Sequence, residues 1–177
     1  GNLFVFFLIF LAWLISASSP FLLKTTFFQI SIIGKAFWPG LSVVPIICVG
    51  YVFYGVFIVQ MPPIYLKNKQ LWVPVLWGSG SFLNIICNYF MIQSYGFFGA
   101  SLSTLLTYLF MASFITYKNK SWMPIVLNYK KLTFFFGLSV VCYVFLVCCE
   151  SSFWLSLLVF LSYFLYGLWE IKTLLQV

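Results

Sequence analysis

Six long apolar runs, separated by short gaps that hold nearly all of the charged residues, constrain the fold of this chain more than any other feature. They occupy residues 3–19, 38–61, 71–92, 98–117, 132–149 and 153–174. A helix of about 20 residues crosses the roughly 30 Å hydrocarbon layer of a bilayer, and each run is close to that length. The pattern predicts an all-α, polytopic transmembrane helical bundle with about six membrane-spanning helices, forming a single integral membrane region over residues 1–177.

The composition also indicates a protein that lies in lipid rather than in water. Hydrophobic residues make up 64% of the chain and charged residues 6%, which does not describe a protein surface in contact with water. Aromatic residues make up 23% and often stand at the predicted helix ends, where amphipathic rings settle at the level of the lipid headgroups. No lysine precedes the first run, so we expect a membrane span there rather than a cleaved signal peptide. Membrane lipids are therefore the first predicted partner.

One segment, at about residues 20–37, breaks the regular pattern. Pro20 follows two serines and is expected to end the first helix, because proline has no backbone N–H to continue it. The residues that follow mix lysine, threonine, serine and glutamine with large apolar side chains. We predict that this segment lies along the membrane interface before the second span begins near Pro39.

The nine cations are all lysines, and their distribution predicts the topology. If the runs alternate across the bilayer, one side receives Lys67, Lys69, Lys118, Lys120, Lys130, Lys131 and Lys172. The other side receives only Lys24 and Lys35. Basic residues concentrate in cytoplasmic loops, so both ends of this segment are predicted to face the cytoplasm from the inner (plasma) membrane. Topology explains the net charge of +7, and no stretch has the basic patch with stacking aromatics that nucleic-acid binding needs.

The residue types that are missing restrict the chemistry. The chain has no histidine, aspartate or arginine, which excludes a histidine-based triad, a histidine or carboxylate metal cluster and an arginine clamp on phosphate. The two carboxylates, Glu150 and Glu170, are separated by about 30 Å if a helix joins them, too far for an acid–base pair. We predict that the protein is not an enzyme and uses no metal or cofactor. The cysteines lack the paired spacing of zinc and redox sites and are predicted to be buried, inert thiols: Cys48, Cys87, Cys142, Cys148 and Cys149.

The most specific local pattern is LNIICNYFMIQSYGFFGASLSTLLTY at residues 83–108, in which two helices meet through a very short turn. Together with VVPIICVGYVFYGVFIVQ at residues 43–60 and the following Lys67-Asn68-Lys69, it resembles the polysaccharide-biosynthesis flippases of the multidrug/oligosaccharidyl-lipid/polysaccharide superfamily. The resemblance covers roughly residues 1–130, and Gln93 stands where such proteins often have proline. The matching positions are Asn84, Asn88, Tyr95, Gly96, Gly99, Ala100, Thr104 and Tyr108.

The resemblance implies a transporter that flips lipid-linked oligosaccharide or polysaccharide repeat units across the inner membrane by alternating access, with no covalent chemistry. Complete members have two helical lobes, and this chain has enough helices for about one. It is therefore expected to be the C-terminal lobe, with the N-terminal helical lobe of the same protein as its partner. Three alternatives stay open: a multidrug extrusion transporter of the same superfamily, a membrane-embedded polysaccharide polymerase or acyltransferase, and a degenerate reading frame.

Small and polar residues repeat at helical spacing in the matched region. Gly96, Ala100 and Thr104 form one stripe at intervals of four, and Gly99 begins a second stripe with Ser103 and Thr107. Such stripes allow two helices to approach closely, either as a fixed packing surface or as a moving seam. Asn84 and Asn88 share one helix face, where an amide inside the bilayer needs an interhelical hydrogen bond or a wet, substrate-lined cavity.

Five further residues are candidates for function. Tyr51 and Tyr54 can either pack inside the bundle or contact sugar rings. Lys24 and Lys35 can either meet a lipid diphosphate on the lysine-poor side or extend to the headgroups. Glu170 is the only carboxylate that the pattern places within reach of the bilayer, as a proton or sodium site or as an interfacial residue.

Overall fold

Helices make up most of the chain in the computed structural model, which describes residues 1–24, 26–27, 30–31, 35–125 and 127–148, with positions 161, 164, 165, 167 and 168. The α-helices are α1 (Asn2–Lys24), α2 (Val44–Val59), α3 (Pro62–Leu66), α4 (Trp72–Tyr95), α5 (Phe97–Trp122) and α6 (Tyr129–Cys148). A 3₁₀ helix covers Lys35–Val43. Two two-residue strands, β1 (Thr26–Phe27) and β2 (Ile30–Ser31), pair antiparallel, with Thr26 opposite Ser31.

Four helical segments among the described residues are long and apolar enough to cross a membrane: Asn2–Ser19, Trp38–Leu66, Trp72–Tyr95 and Phe97–Trp122. They coincide with the first four apolar runs of the sequence, so the helical class is confirmed and four of the predicted spans have the length and composition of membrane-crossing helices. The fifth run falls on α6. The sixth lies largely outside the described residues, and a total of about six spans stays a prediction.

The first helix is longer than predicted, because α1 continues through Pro20 to Lys24. A proline inside a helix leaves the carbonyl four residues earlier without its N–H donor, which here is the carbonyl of Ser16. The Ser19 hydroxyl donates to that oxygen at 3.1 Å. This side-chain hydrogen bond replaces the backbone bond that Pro20 cannot donate, as serine side chains do beside proline in membrane helices. Residues 20–24 therefore belong to the helix, and α1 ends at Lys24, inside the segment that was predicted to be interfacial.

The chain divides into two compact units. Unit 1 contains residues 43–127 and Gly1, and in it α5 packs against both α2 and α4. Its apolar core consists of Phe57, Ile64, Leu76, Met111, Ala112 and Ile115. Unit 2 contains residues 2–42 and 128–177, and in it α1 packs against α6. Its core consists of Phe6, Phe10, Trp13 and Phe135.

Candidate functional site

A single residue, Gly96, connects α4 to α5. Its φ of 56° and ψ of −132° lie in a region that side chains with a Cβ atom rarely adopt, so glycine is required for the reversal. The Gly96 N–H donates to the Ile92 carbonyl at 2.8 Å and closes the last turn of α4. Gln93 is exposed within α4 and does not end it. The predicted short turn is therefore confirmed, and Gly96 makes it.

Gly99 allows the first turn of α5 to lie against the backbone of α4. A Cβ atom at this position would lie 2.0 Å from the Met91 carbonyl oxygen, a backbone atom of α4. Further along the pair, a Cβ on Gly80 would lie 2.5 Å from the Met111 sulfur. The backbones of α4 and α5 thus approach each other through glycine first on one helix and then on the other, as small-residue membrane interfaces do.

Between these glycines, four polar side chains form a continuous ladder across the α4–α5 interface. Asn84 Nδ2 donates to Thr107 Oγ1 at 3.1 Å. Asn88 Nδ2 donates to Asn84 Oδ1 at 2.9 Å, and the Ser103 hydroxyl donates to Asn88 Oδ1. Thr107 Oγ1 in turn donates to the Ser103 carbonyl at 2.8 Å, which closes the ladder onto the backbone of α5. The interhelical hydrogen bonds expected of the two asparagines are present.

The two small-residue stripes of α5 differ in their surroundings. Gly99, Ser103 and Thr107 are buried against α4. Ala100 and Thr104 are half-buried, and Gly96 is exposed. The Thr104 hydroxyl donates at 3.0 Å to the Ala100 carbonyl of its own helix rather than to a neighbouring helix. The stripe of Gly99, Ser103 and Thr107 is therefore a packing surface against α4, whereas Thr104 of the other stripe bonds within its own helix.

An aromatic cluster joins three helices next to the polar ladder. Tyr54 lies at its centre, with its ring centroid 5.0 Å from that of Tyr108 and 6.2 Å from that of Trp77. Tyr51 extends the cluster, 5.7 Å from Tyr108, and Phe57 lies 5.6 Å from Trp77 in an edge-on contact. We call the set of Tyr51, Tyr54, Trp77 and Tyr108 the tyrosine cluster. It borders the ladder because Tyr108 follows Thr107 on α5.

The tyrosine cluster is open on one side. Tyr51 is 54% exposed and Trp77 is 40% exposed, although both rings contact others in unit 1. Tyr54 and Tyr108 are half-buried beneath them. An accessible aromatic surface next to paired amides and hydroxyls can contact an amphipathic ligand both by its apolar face and by hydrogen bonds.

A second polar contact was missed in the sequence. Asn119 on α5 donates from Nδ2 to both Gln60 oxygens, the backbone carbonyl at 2.7 Å and Oε1 at 2.9 Å. Both side chains are almost completely buried. Gln60 ends α2, so Asn119 satisfies a terminal carbonyl that the helix itself leaves unpaired. Asn119 lies at intervals of four from Gly99 through Ser103 and Thr107, and continuing that stripe would have identified it.

The opposite end of the α4–α5 pair from Gly96 has a cation between aromatic rings. The Lys118 ammonium lies 4.1 Å from the centroid of the Trp72 ring and 5.9 Å from that of Phe114. Trp72 in turn lies 5.5 Å from Trp122. Both tryptophans stand at the same end of the α4–α5 pair, a position typical of amphipathic rings at a membrane interface.

The remaining predicted site residues are not part of this arrangement. Lys24 ends α1 and Lys35 begins the 3₁₀ helix, but their side chains lie outside the part that the structure describes. Glu170 also lies outside the described residues. Cys48 and Cys87 form no disulfide bond and are half-buried in α2 and α4.

No family model, curated protein or solved structure matches this chain.

Proposed function

We propose that this chain takes part in the transport of lipid-linked oligosaccharide or polysaccharide repeat units across the inner membrane by alternating access. In this proposal it is the C-terminal helical lobe of a two-lobed flippase. Its substrate surface is the tyrosine cluster on α2, α4 and α5. The single observation that carries the proposal is that this cluster is accessible in a helical unit whose helices have membrane-spanning length.

The chemistry of the substrate fits that surface. A sugar ring has an apolar face of C–H groups and a rim of hydroxyls, which aromatic rings with polar ends can contact together. The tyrosine hydroxyls provide the polar ends, and Trp77 provides a further apolar face. Flipping breaks and forms no covalent bond, so a chain without histidine, aspartate or arginine has the residues it needs.

The asparagine ladder has a supporting role in this proposal. Its amides bond to one another and to Ser103 and Thr107, so they hold α4 and α5 in register rather than standing free for a substrate. A rigid hairpin of this kind suits a lobe that moves as one body against its partner lobe. Asn84 and Asn88 are thus positioning residues for the tyrosine cluster.

Binding by the full chain in lipid nanodiscs tests the proposal without requiring the second lobe. We expect a polyprenyl-diphosphate oligosaccharide to bind more tightly than the same polyprenyl diphosphate without sugar, measured by native mass spectrometry. Tyr51→Ala should remove most of that difference, a weakening of about tenfold for the loss of about 1.4 kcal/mol of ring contact.

Tyr89→Ala is the matched control, because Tyr89 is an exposed tyrosine of α4 whose ring contacts only its neighbour Phe90 among the described residues. It should leave sugar-dependent binding unchanged. Equal binding of the two lipids by the unmodified chain, or an equal loss in both tyrosine variants, would contradict the proposal.

A further inference from the structure

The basic side chains of unit 1 have no acidic counterpart. Residues 43–127 contain Lys67, Lys69, Lys118 and Lys120 and no aspartate or glutamate. The only carboxylates of the chain, Glu150 and Glu170, belong to unit 2. The positive charge of unit 1 must therefore be balanced by anions that this unit does not supply.

The four lysines stand at one end of unit 1. Lys67 and Lys69 lie in the connection that leads into α4, and the Trp72 N–H donates to the Lys69 carbonyl at 2.9 Å. Lys118 and Lys120 lie in the last turns of α5. Because α4 and α5 form a hairpin closed at Gly96, the start of α4 and the end of α5 meet, as the contact of Trp72 with Trp122 requires. We call these four lysines the basic end.

Lys118 is the lysine that the structure fixes in place. Its ammonium lies over the face of Trp72 and beside Phe114, and among the described residues it has no carboxylate partner. The ring face attracts the cation, but it cannot occupy all three N–H donors of the ammonium. The side chain is half-buried, so donors remain accessible on the side away from the rings.

The aromatic neighbours indicate which anion reaches this position. Tryptophan prefers the interfacial layer of a bilayer, where its ring is in apolar surroundings and its N–H is in polar ones. Helices of membrane-spanning length continue from Trp72 and from Trp122 in the direction of Gly96. The Lys118 ammonium is therefore held at the depth at which a phospholipid presents its phosphate.

We propose that the basic end binds the phosphate of an anionic phospholipid, with Lys118 as its direct ligand and Trp72 as the ring that positions the ammonium. The site selects anionic over zwitterionic headgroups. A zwitterionic lipid brings its own cation close to the phosphate, whereas the basic end supplies four uncompensated positive charges. This inference is independent of the transport function and of the tyrosine cluster.

The experiment uses the full chain in nanodiscs made from equal amounts of phosphatidylglycerol and phosphatidylcholine. Native mass spectrometry counts which lipid stays bound after the disc is removed. We expect the unmodified chain to retain phosphatidylglycerol preferentially. Lys118→Gln should reduce that preference about fivefold, the usual contribution of one basic residue at an anionic surface. Lys118→Arg should keep it, because the charge and the ring contact both remain.

Lys130→Gln is the matched control, since Lys130 is an exposed lysine of unit 2 and its loss changes the net charge equally. It should lower the preference much less than Lys118→Gln does, because no cation–ring contact holds the Lys130 ammonium in the part of the chain that the structure describes. Retention of both lipids in equal amounts would overturn the proposal, and so would an equal loss in the Lys118→Gln and Lys130→Gln variants. Displacement of the lipid by millimolar inorganic phosphate would also overturn it, because the site would then bind a soluble anion. Circular dichroism checks that each variant keeps its helices.

Discussion

The α4–α5 pair of unit 1 and the α1–α6 pair of unit 2 are held together in different ways. In unit 1, α4 and α5 meet through glycines and a ladder of hydrogen bonds that runs from Asn84 to Ser103. In unit 2, α1 and α6 meet through aromatic rings, with Phe6 and Phe135 5.0 Å apart in an edge-on contact. Phe10 adds a contact of 4.3 Å with Phe164.

The difference teaches how a helix pair is specified in an apolar solvent. Lipid is as apolar as phenylalanine, so ring burial alone does little to favour one helix partner or register over another. Hydrogen bonds between fixed positions are directional, and a glycine opposite a backbone carbonyl admits one alignment only. The α4–α5 pair of unit 1 is therefore expected to have the more strictly fixed alignment of its helices. It should also be the more sensitive to small substitutions.

Gly99→Ala should produce the largest effect. The added Cβ would lie 2.0 Å from the Met91 carbonyl oxygen, and a backbone atom at the helix turn cannot move aside without opening the hairpin. We expect a loss of about 3 kcal/mol or more in the free energy of unfolding, above the usual range for overpacking. The measurement is the loss of helicity during titration with sodium dodecyl sulfate in mixed micelles.

Gly78→Ala is the control for that substitution, because nothing lies within 4 Å of a Cβ at this position on α4. Alanine has the higher helix propensity, so this variant should be unchanged or more stable by up to about 1 kcal/mol. A similar loss in both variants would show that close packing at Gly99 is not the cause.

Gly167→Ala tests the same kind of contact in unit 2 and should have a smaller effect. Its Cβ would lie 1.9 Å from Cζ of Phe6, the far end of a side chain that can shift by rotation. We expect a loss of about 1–2 kcal/mol in the same titration. Phe6→Leu in the same chain should restore part of that loss, because a shorter side chain leaves room for the methyl group. A loss as large as that of Gly99→Ala would remove the distinction between the two units in their sensitivity to close packing.

Much of unit 1 could be predicted from the sequence. Apolar runs of membrane length located the helices, and a glycine between two runs located the reversal at Gly96. Asparagine on a helix face in lipid needs a polar partner, so an interhelical bond was one of the two expectations for Asn84 and Asn88, beside a substrate-lined cavity, and the structure shows such bonds. These signals are local, because the spacing of residues along one helix determines which side chains face the next helix of the chain.

The remaining features depend on contacts that spacing along one helix does not encode. Asn119 and Gln60 are 59 residues apart, and their contact depends on the path of the chain through α3. Pro20 was expected to end α1, but the Ser19 hydroxyl compensates for the missing N–H. The residue types alone do not decide whether the proline ends the helix or the serine bond lets it continue. The division into two units likewise has no linker or change of composition to indicate it.

The coupling between Asn88 and Ser103 gives the smallest and most specific test of the comparison. A double-mutant cycle with Asn88→Ala and Ser103→Ala isolates the hydrogen bond across α4 and α5. We expect an interaction free energy of about 0.6 kcal/mol and no more than about 1.7 kcal/mol, the average and the maximum measured for such bonds within a membrane. The single variants will each lose more than this, because each also leaves a partner group unsatisfied in the interface.

The control cycle pairs Asn88→Ala with Ser113→Ala. The Ser113 hydroxyl is exposed and donates at 2.7 Å to the Leu109 carbonyl of its own helix, so it shares no partner with Asn88. Its interaction free energy with Asn88 should be zero within error. If the Asn88–Ser103 cycle also gave zero, the hydrogen bonds of the ladder would be a result of the helix packing and would not stabilise it. The glycine contacts alone would then fix the alignment of α4 and α5.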